Sequence, residues 1–489
     1  MRCGAWRHCL RRGSRGSALG REAVQRRRLS AWAPAAAATA PAVDAEVLAP
    51  DGAALARASR RSLEEGDGSS ERWRLLAARA AVLAPELSFG ETSRLAANFS
   101  IARFVDFDLF ARLSARAGEL LGSGGALDGE EQVTAADLRR LAVSFGRARA
   151  FDSDLMEALV PVIAERVEDF RPRDLARIAD AYARLPLQSL DLFALVAEAL
   201  PPYLYDLAPA ELAGLLRSFA EAAVYCEELC DAVCAEVLRR LRNFGAMECL
   251  VFLDGLSRLR AGLPADMARD DAKVIAKVAH HAGPLLGSLN AADLVRFFSA
   301  LVRLDHYDKR LIHMRLGSAL GQKLGQLEAE GQQNELAELL HCLSLLPAQS
   351  HKTAEVCLAT AAALRRRLSA AAPAGGGRLE PRPLAQAVAA LVQLGQEDED
   401  LLELLSLALQ PAATGDATTT TRGQDVLAVA TDGELEELFG AFGAHASRAA
   451  DADVEGSQGR TGVARALEAI SGEQARRRGD PAVASAVSE

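Results

Sequence analysis

The sequence predicts an all-α fold, an α-solenoid of tandem antiparallel helix pairs with a period of about 37–38 residues. Three observations predict it. The segment Asp137 to Phe145 (DLRRLAVSF) returns as Asp174 to Tyr182 (DLARIADAY) and Glu211 to Phe219 (ELAGLLRSF), with acid, leucine, aliphatic and aromatic in fixed order. The central aliphatic, called the anchor of its copy, stands at Leu141, Ile178 and Leu215, a constant 37 residues apart. A fixed period of this length marks stacked helix pairs, because one pair cannot bury its apolar face alone. Half of the 489 residues are hydrophobic and only 5% are aromatic, with alanine and leucine dominant, which biases the chain toward helix.

The copies follow in order. Residues 1–43 read as an organellar targeting peptide: nine arginines (positions 2 to 28) face one acid, Glu22, among scattered Ser and Ala. They lack an apolar core of the secretory kind; a basic tail for nucleic acid is the alternative. Without them the chain keeps 47 basic against 65 acidic residues, a net of −18. Residues 44–84 form an Ala-rich extension expected to hold one or two helices and no repeat.

The solenoid is expected over residues 85–370, almost wholly helical and free of sheet. Ser88 and Glu91 open its first copy as a capping box, with anchor Leu95 and aromatic Phe99; Gly122 to Gly129 reads as an extra loop. A fifth copy starts near Leu250 and Leu253, its register open by one residue. The sixth has anchor Phe297 with Leu301 in the aromatic slot, capped by Asn290, and the seventh has anchor Leu339. Residues 371–383, with three glycines in a row and three prolines, read as a flexible linker. Residues 384–445 hold an eighth, degenerate copy around Leu384, Ala387 and Leu391, a Thr-rich loop and a terminal helix from Glu434 to Phe442. Residues 446–489 read as a low-complexity tail with a short helix around Val463 to Ile470.

Each copy reads as helix, turn, helix. An acid four residues before the anchor (Glu91, Asp137, Asp174, Glu211, Asp293, Glu335) complements the dipole of the first helix. Asp106, Asp152 or Asp308 marks the turn, and a leucine fourteen after the anchor (Leu109, Leu155, Leu192, Leu229, Leu311, Leu401) packs the second helix.

No catalytic constellation is found. Gly317 to Lys323 has the wrong spacing for a phosphate-binding loop, and metalloprotease, serine-hydrolase and kinase motifs are missing. The chain therefore reads as a non-enzyme with no cofactor, no metal and no small-molecule substrate. Cys226, Cys230 and Cys234 share one helical face; as thiols they suit a soft metal, as apolar side chains they suit a core, and the missing fourth ligand favours the core. No uncharged run approaches the roughly 18 residues of a membrane span.

One polar pattern repeats. Arginine stands just before the anchor at Arg94, Arg140, Arg177 and Arg296, and six after it at Arg147, Arg184 and Arg303. The two positions lie seven residues apart, on one helix face. Stacked copies would line these guanidiniums into a stripe able to follow a phosphate backbone or stack on bases. The competing reading is a solvated face, with Asp137 and Asp174 pairing with Arg140 and Arg177 three residues on.

The helix pairs opening on D-L-x-x-hydrophobic-x-x-x-aromatic, behind an organellar presequence, resemble octotricopeptide and heptatricopeptide repeat proteins and the leucine-rich helical region of FAST-kinase-like proteins. The resemblance spans about Leu87 to Leu346, with weaker echoes to Leu409, and no RAP-type domain is recognised after it. It implies organellar RNA binding, to a single-stranded transcript or rRNA, in processing, stability, translation or ribosome function. Ribosomal or other complex subunits are further expected partners. The mitochondrial matrix is the expected compartment, a plastid the runner-up. The alternative is a protein–protein scaffold, an assembly factor or a peripheral subunit of an organellar complex.

Overall fold

The computed structural model describes residues 49–66, 69–122, 133–187, 189–261, 263, 271–371, 379–394, 401–402, 404–405, 430–451 and 458–478. The expected targeting peptide, the Gly122–Gly129 loop beyond its first residue and the Thr-rich loop lie outside them. The protein is an all-α solenoid; no β-strand runs through the described residues. They fall into two compact units, one reaching to Phe244 with the short segment 258–269, the other comprising 245–257 and everything from Asp270.

The first unit holds five helix pairs: α1 (Gly52–Glu64) with α2 (Ser70–Leu83), α3 (Phe89–Ile101) with α4 (Phe107–Gly122), α5 (Ala135–Ala148) with α6 (Ser153–Glu165), α7 (Pro172–Ala183) with α8 (Leu190–Ala199), and α9 (Pro209–Glu221) with α10 (Glu227–Arg239). First helices pack on first helices in sequence order and second helices on second helices, giving two layers. Leu141, Phe145, Ile178, Tyr182, Leu215 and Phe219 are at most 1% exposed, as the periodicity requires.

A rule not read from the sequence ties neighbouring copies. The residue fifteen after one anchor packs on the aromatic four after the next. Trp73 meets Phe99 edge to face at 5.3 Å, Phe110 meets Phe145 at 5.3 Å, and Phe193 meets Phe219 at 4.9 Å. In the remaining pair Met156 takes the first place, and the buried Tyr182 hydroxyl donates to its carbonyl at 2.7 Å.

The turns repeat as well. The residue eight after the anchor is left-handed in Arg103, Arg149, Ala223 and Asp305. The next residue's N–H donates to the carbonyl four after the anchor: Phe104 to Phe99, Ala150 to Phe145, Val224 to Phe219 and His306 to Leu301, at 3.0–3.2 Å. This is a Schellman-type helix end. In two further copies Pro186 and Pro347 hold that position, and proline cannot adopt positive φ. Asp106, Asp152 and Asp308 cap the following helix, accepting from Leu109, Leu155 and Leu311 N–H.

The second unit uses the same parts: the first portion of α11 (Ala246–Ala261), then α12 (Ala272–Ala282), α13 (Ala291–Arg303), α14 (Gly317–Ala329) behind a π-helical turn at Arg310–Leu316, α15 (Gln333–Ser344), α16 (His351–Ala371), α17 (Pro381–Leu394), α18 (Asp432–Asp451) and α19 (Gln458–Arg478). First helices start six residues before their anchors, so α11 fixes the open fifth register: its anchor is Phe252, with Glu248 four before it, both it and Leu256 being buried.

Three expectations are corrected. Residues 44–84 are no mere extension, since α1 and α2 stack on α3 and α4 as a full pair. Its anchor is Ala58, with Ser62 in the aromatic slot, too small to be recognised. The terminal helix around Glu434 is a full copy, ELEELFGAF, with Leu435, Leu438 and Phe442 buried and Thr431 and Glu434 forming its cap. In the tail, the helix expected around Val463 to Ile470 is the longer α19, Gln458–Arg478, with Val463, Ala466 and Ile470 buried and the helix packed on α18. The expected linker 371–383 is trimmed at both ends, α16 reaching Ala371 and α17 beginning at Pro381. No helix among the described residues is long and apolar enough to cross a membrane.

Cys226, Cys230 and Cys234 are buried core side chains. Burial pushes the Cys226 thiol up to about 11, and its S–H points at the Glu228 carboxylate, 3.5 Å away.

Candidate nucleic-acid interface

The candidate arginines of the first unit lie on its first helices α3, α5 and α7, off the buried anchor column. They are held there by the same 3.6-residue period that turns Leu141, Ile178 and Leu215 inward. Gly146 lets α5 and α7 approach closely: a Cβ there would lie 2.6 Å from the Ala181 Cα and 2.7 Å from its carbonyl oxygen. Beside this contact runs a groove of about 320 Å³, lined by Arg139, Val143, Arg147, Arg177, Asp180, Ala181 and Arg184. Val143 and Ala181 supply apolar surface between four guanidiniums and one carboxylate.

The ion pairs around the groove are mostly between helices. Arg139 on α5 reaches Asp174 on α7 at 3.2 Å, and Arg173 and Arg177 on α7 reach Glu211 on α9 at 2.5 and 3.5 Å. The acid four before the anchor therefore serves its own helix start and also locks the preceding copy. Asp180 accepts from Arg184 at 2.7 Å and from Arg217, one full period later, at 2.6 Å. Arg147 is exposed and has no hydrogen bond or ion pair among the described residues, and Arg94 on α3 is likewise exposed and unpaired.

Arg140 is engaged otherwise. It pairs with Asp137 on its own helix and donates to the Ser93 hydroxyl at 3.1 Å. Ser93 and Thr134 hydroxyls also donate to Asp137, at 3.0 and 2.6 Å. Burial raises this carboxyl, but those donors and the Arg140 guanidinium outweigh it and hold Asp137 below the usual carboxylate range. The intrahelical pair expected for Asp137 and Arg140 thus forms, whereas the one expected for Asp174 and Arg177 does not, because each has a partner on a neighbouring helix.

In the second unit the two remaining candidates converge. Arg303 reaches Asp254 at 2.8 Å and Arg296 reaches it at 3.5 Å, Arg296 also touching Asp293 at 3.3 Å. The Asp254 side chain is 2% exposed. It stands two residues after its anchor, the place that Val143 holds on α5.

Sequence reasoning named Arg147, Arg177 and Arg184 but missed Arg139 and Asp180 in the same groove. The Arg139-Arg140 doublet was the available signal. Asp180 carried none, because its role depends on Arg217 one period away.

Residues 62–372, well over half of the chain, match the family described as RNA-editing substrate-binding complex 6 protein. The chain belongs to that family. The family's name places its member in an RNA-editing substrate-binding complex. The match supports an RNA-associated helical class and does not choose among the octotricopeptide, heptatricopeptide and FAST-kinase-like types. No curated protein matches the sequence.

Proposed function

We propose that the chain is a non-catalytic RNA-binding subunit of a mitochondrial RNA-editing or RNA-processing complex, and that it holds single-stranded RNA along the first-helix edge of its first unit. The observation that carries the reading is the α5–α7 groove, where Arg139, Arg147, Arg177 and Arg184 surround apolar Val143 and Ala181. Guanidiniums bind phosphate in a fork and stack on splayed bases, so four of them around apolar surface fit a single strand. The acidic balance of the whole chain does not oppose this, because the lining of this one groove holds four guanidiniums against one carboxylate. Membership of an RNA-editing substrate-binding complex family supports RNA as the ligand class and other subunits as partners. A mitochondrial matrix location agrees with the arginine-rich start of the sequence.

A scaffold role has its own observation. Tyr203 and Tyr205 are 50% and 56% exposed, and Tyr205 borders a second groove, of about 390 Å³, with Pro201, Leu204, Ala232 and Ala235. Exposed tyrosines are common anchors for protein partners.

The test is a titration of labelled single-stranded RNA with the full chain across salt concentration. Replacing Arg139, Arg147, Arg177 and Arg184 by Gln should weaken binding and flatten the salt slope by up to about three units, at about 0.7 per phosphate contact. A parent chain that binds no RNA at low salt would leave the scaffold role in its place.

A further inference from the structure

Three first helices carry the same arginine pair; on α5 it is Arg140 and Arg147, the first held by Asp137 of its own helix. On α7 the pair is Arg177 and Arg184; on α13 it is Arg296 and Arg303. The facing helices differ at several equivalent positions, among them Val143 on α5 against Asp254 on α11 and Arg139 against Leu250. Asp254 is buried and draws both α13 guanidiniums onto its carboxylate. Half-buried Val143 offers no charge, and the α7 arginines pair instead at the edge of an open groove, beside Arg147, which is unpaired among the described residues.

We infer that the residue two after the anchor decides whether the following arginine pair takes RNA: Val143 leaves the α5–α7 groove open to a phosphodiester, and Asp254 occupies the equivalent anion position on α13. This inference rests on the RNA reading of the same groove. A phosphate approaching Arg177 and Arg184 competes with Glu211 and with Asp180, and Arg147 and Arg139 add attraction from the opposite wall. A phosphate approaching Arg296 and Arg303 must displace a carboxylate already held between them and meets its charge at close range. Carboxylate and phosphate compete for the same fork, so an internal acid lowers the site's affinity for the external one.

The experiment compares the full chain with Val143→Asp, Val143→Asn and Asp254→Asn, titrating a labelled oligouridylate over a range of salt, with helicity and melting temperature recorded for each. Val143→Asp should weaken binding about tenfold and flatten the salt slope by up to about 1.4, the loss of two phosphate contacts. Val143→Asn removes the same apolar surface without adding charge, so Val143→Asp should bind more weakly than Val143→Asn and with the flatter salt slope. Asp254→Asn should tighten binding and steepen the slope by about 0.7 or more as α13 arginines become available. If the parent binds and folded Val143→Asp keeps its affinity and slope, the inference is overturned while the RNA reading stands. If Val143→Asp does not fold, the gain in Asp254→Asn decides, and an unchanged slope there overturns it. A parent that binds no RNA overturns the RNA reading and this inference together.

Discussion

The arginines of the first unit and those of the second have the same spacing and different surroundings. In the first, Arg147 and Arg94 stand unpaired among the described residues, and Arg177 and Arg184 border an open groove with acids at its rim. In the second, Arg296 and Arg303 are drawn together on one buried carboxylate. A repeated motif thus does not keep repeated partners; the neighbouring copy decides what the motif can reach. Histidines differ too. Of eight in the chain only His8, outside the described residues, precedes the second unit.

The comparison can be broken first through the core beneath the groove. Phe145 is fully buried and stacks edge to face on Phe110. Phe145→Ala should cost about 3–5 kcal/mol in chemical denaturation. A cost below about 1 kcal/mol would mean that the stacking rule linking successive copies does not hold the first unit together.

Groove geometry comes next. Gly146→Ala sets a methyl 2.6 Å from the Ala181 Cα, so α5 and α7 must separate. The expected loss is about 1–3 kcal/mol, accompanied by weaker RNA binding. A variant that binds normally despite that loss would detach binding from the α5–α7 approach.

In the second unit, Asp254→Ala removes the carboxylate shared by two partly solvated guanidiniums, with an expected cost of about 1–3 kcal/mol. An exposed surface pair would cost less than about 1 kcal/mol, so denaturation of this variant separates a structural clamp from a solvated face.

The smaller effects concern turns and pH. Ala223 is left-handed, and Ala223→Gly should stabilise by about 1 kcal/mol. Burial lowers the titration of His306, His313 and His341 below the ordinary histidine value. Their neutral forms are favoured by the fold, so the stability they support is present above the unfolded value of about 6.5 and declines as pH falls from there toward the folded values. Hydrogen exchange at pH 7 and pH 5 should show loosening around α13–α15 and little change around α5–α7. The reverse ranking would remove this difference between the units.

Much of this architecture was legible because the apolar columns are strict. Leu141, Phe145 and their equivalents are spaced by the helix itself, so one pattern fixed their burial. The first and last pairs escaped for opposite reasons: Ala58 and Ser62 are too small to register, and the clear motif at Glu434 stands apart after a Thr-rich stretch. The candidate site was half legible. Arginine positions follow from the period, but their partners do not. Asp180 with Arg217 and Asp254 with Arg303 join residues one period or more apart, and sequence spacing alone does not say whether a neighbouring helix presents valine or aspartate.

The most direct measurement is ultraviolet crosslinking of bound RNA to the full chain, with crosslinked peptides located by mass spectrometry. Crosslinks should concentrate in residues 135–184, on the helices that line the α5–α7 groove, and be sparse across 291–303. Crosslinks at Arg296 and Arg303 equal to or exceeding those around Arg147 and Arg184 would contradict the claim that Asp254 withholds its arginines from RNA.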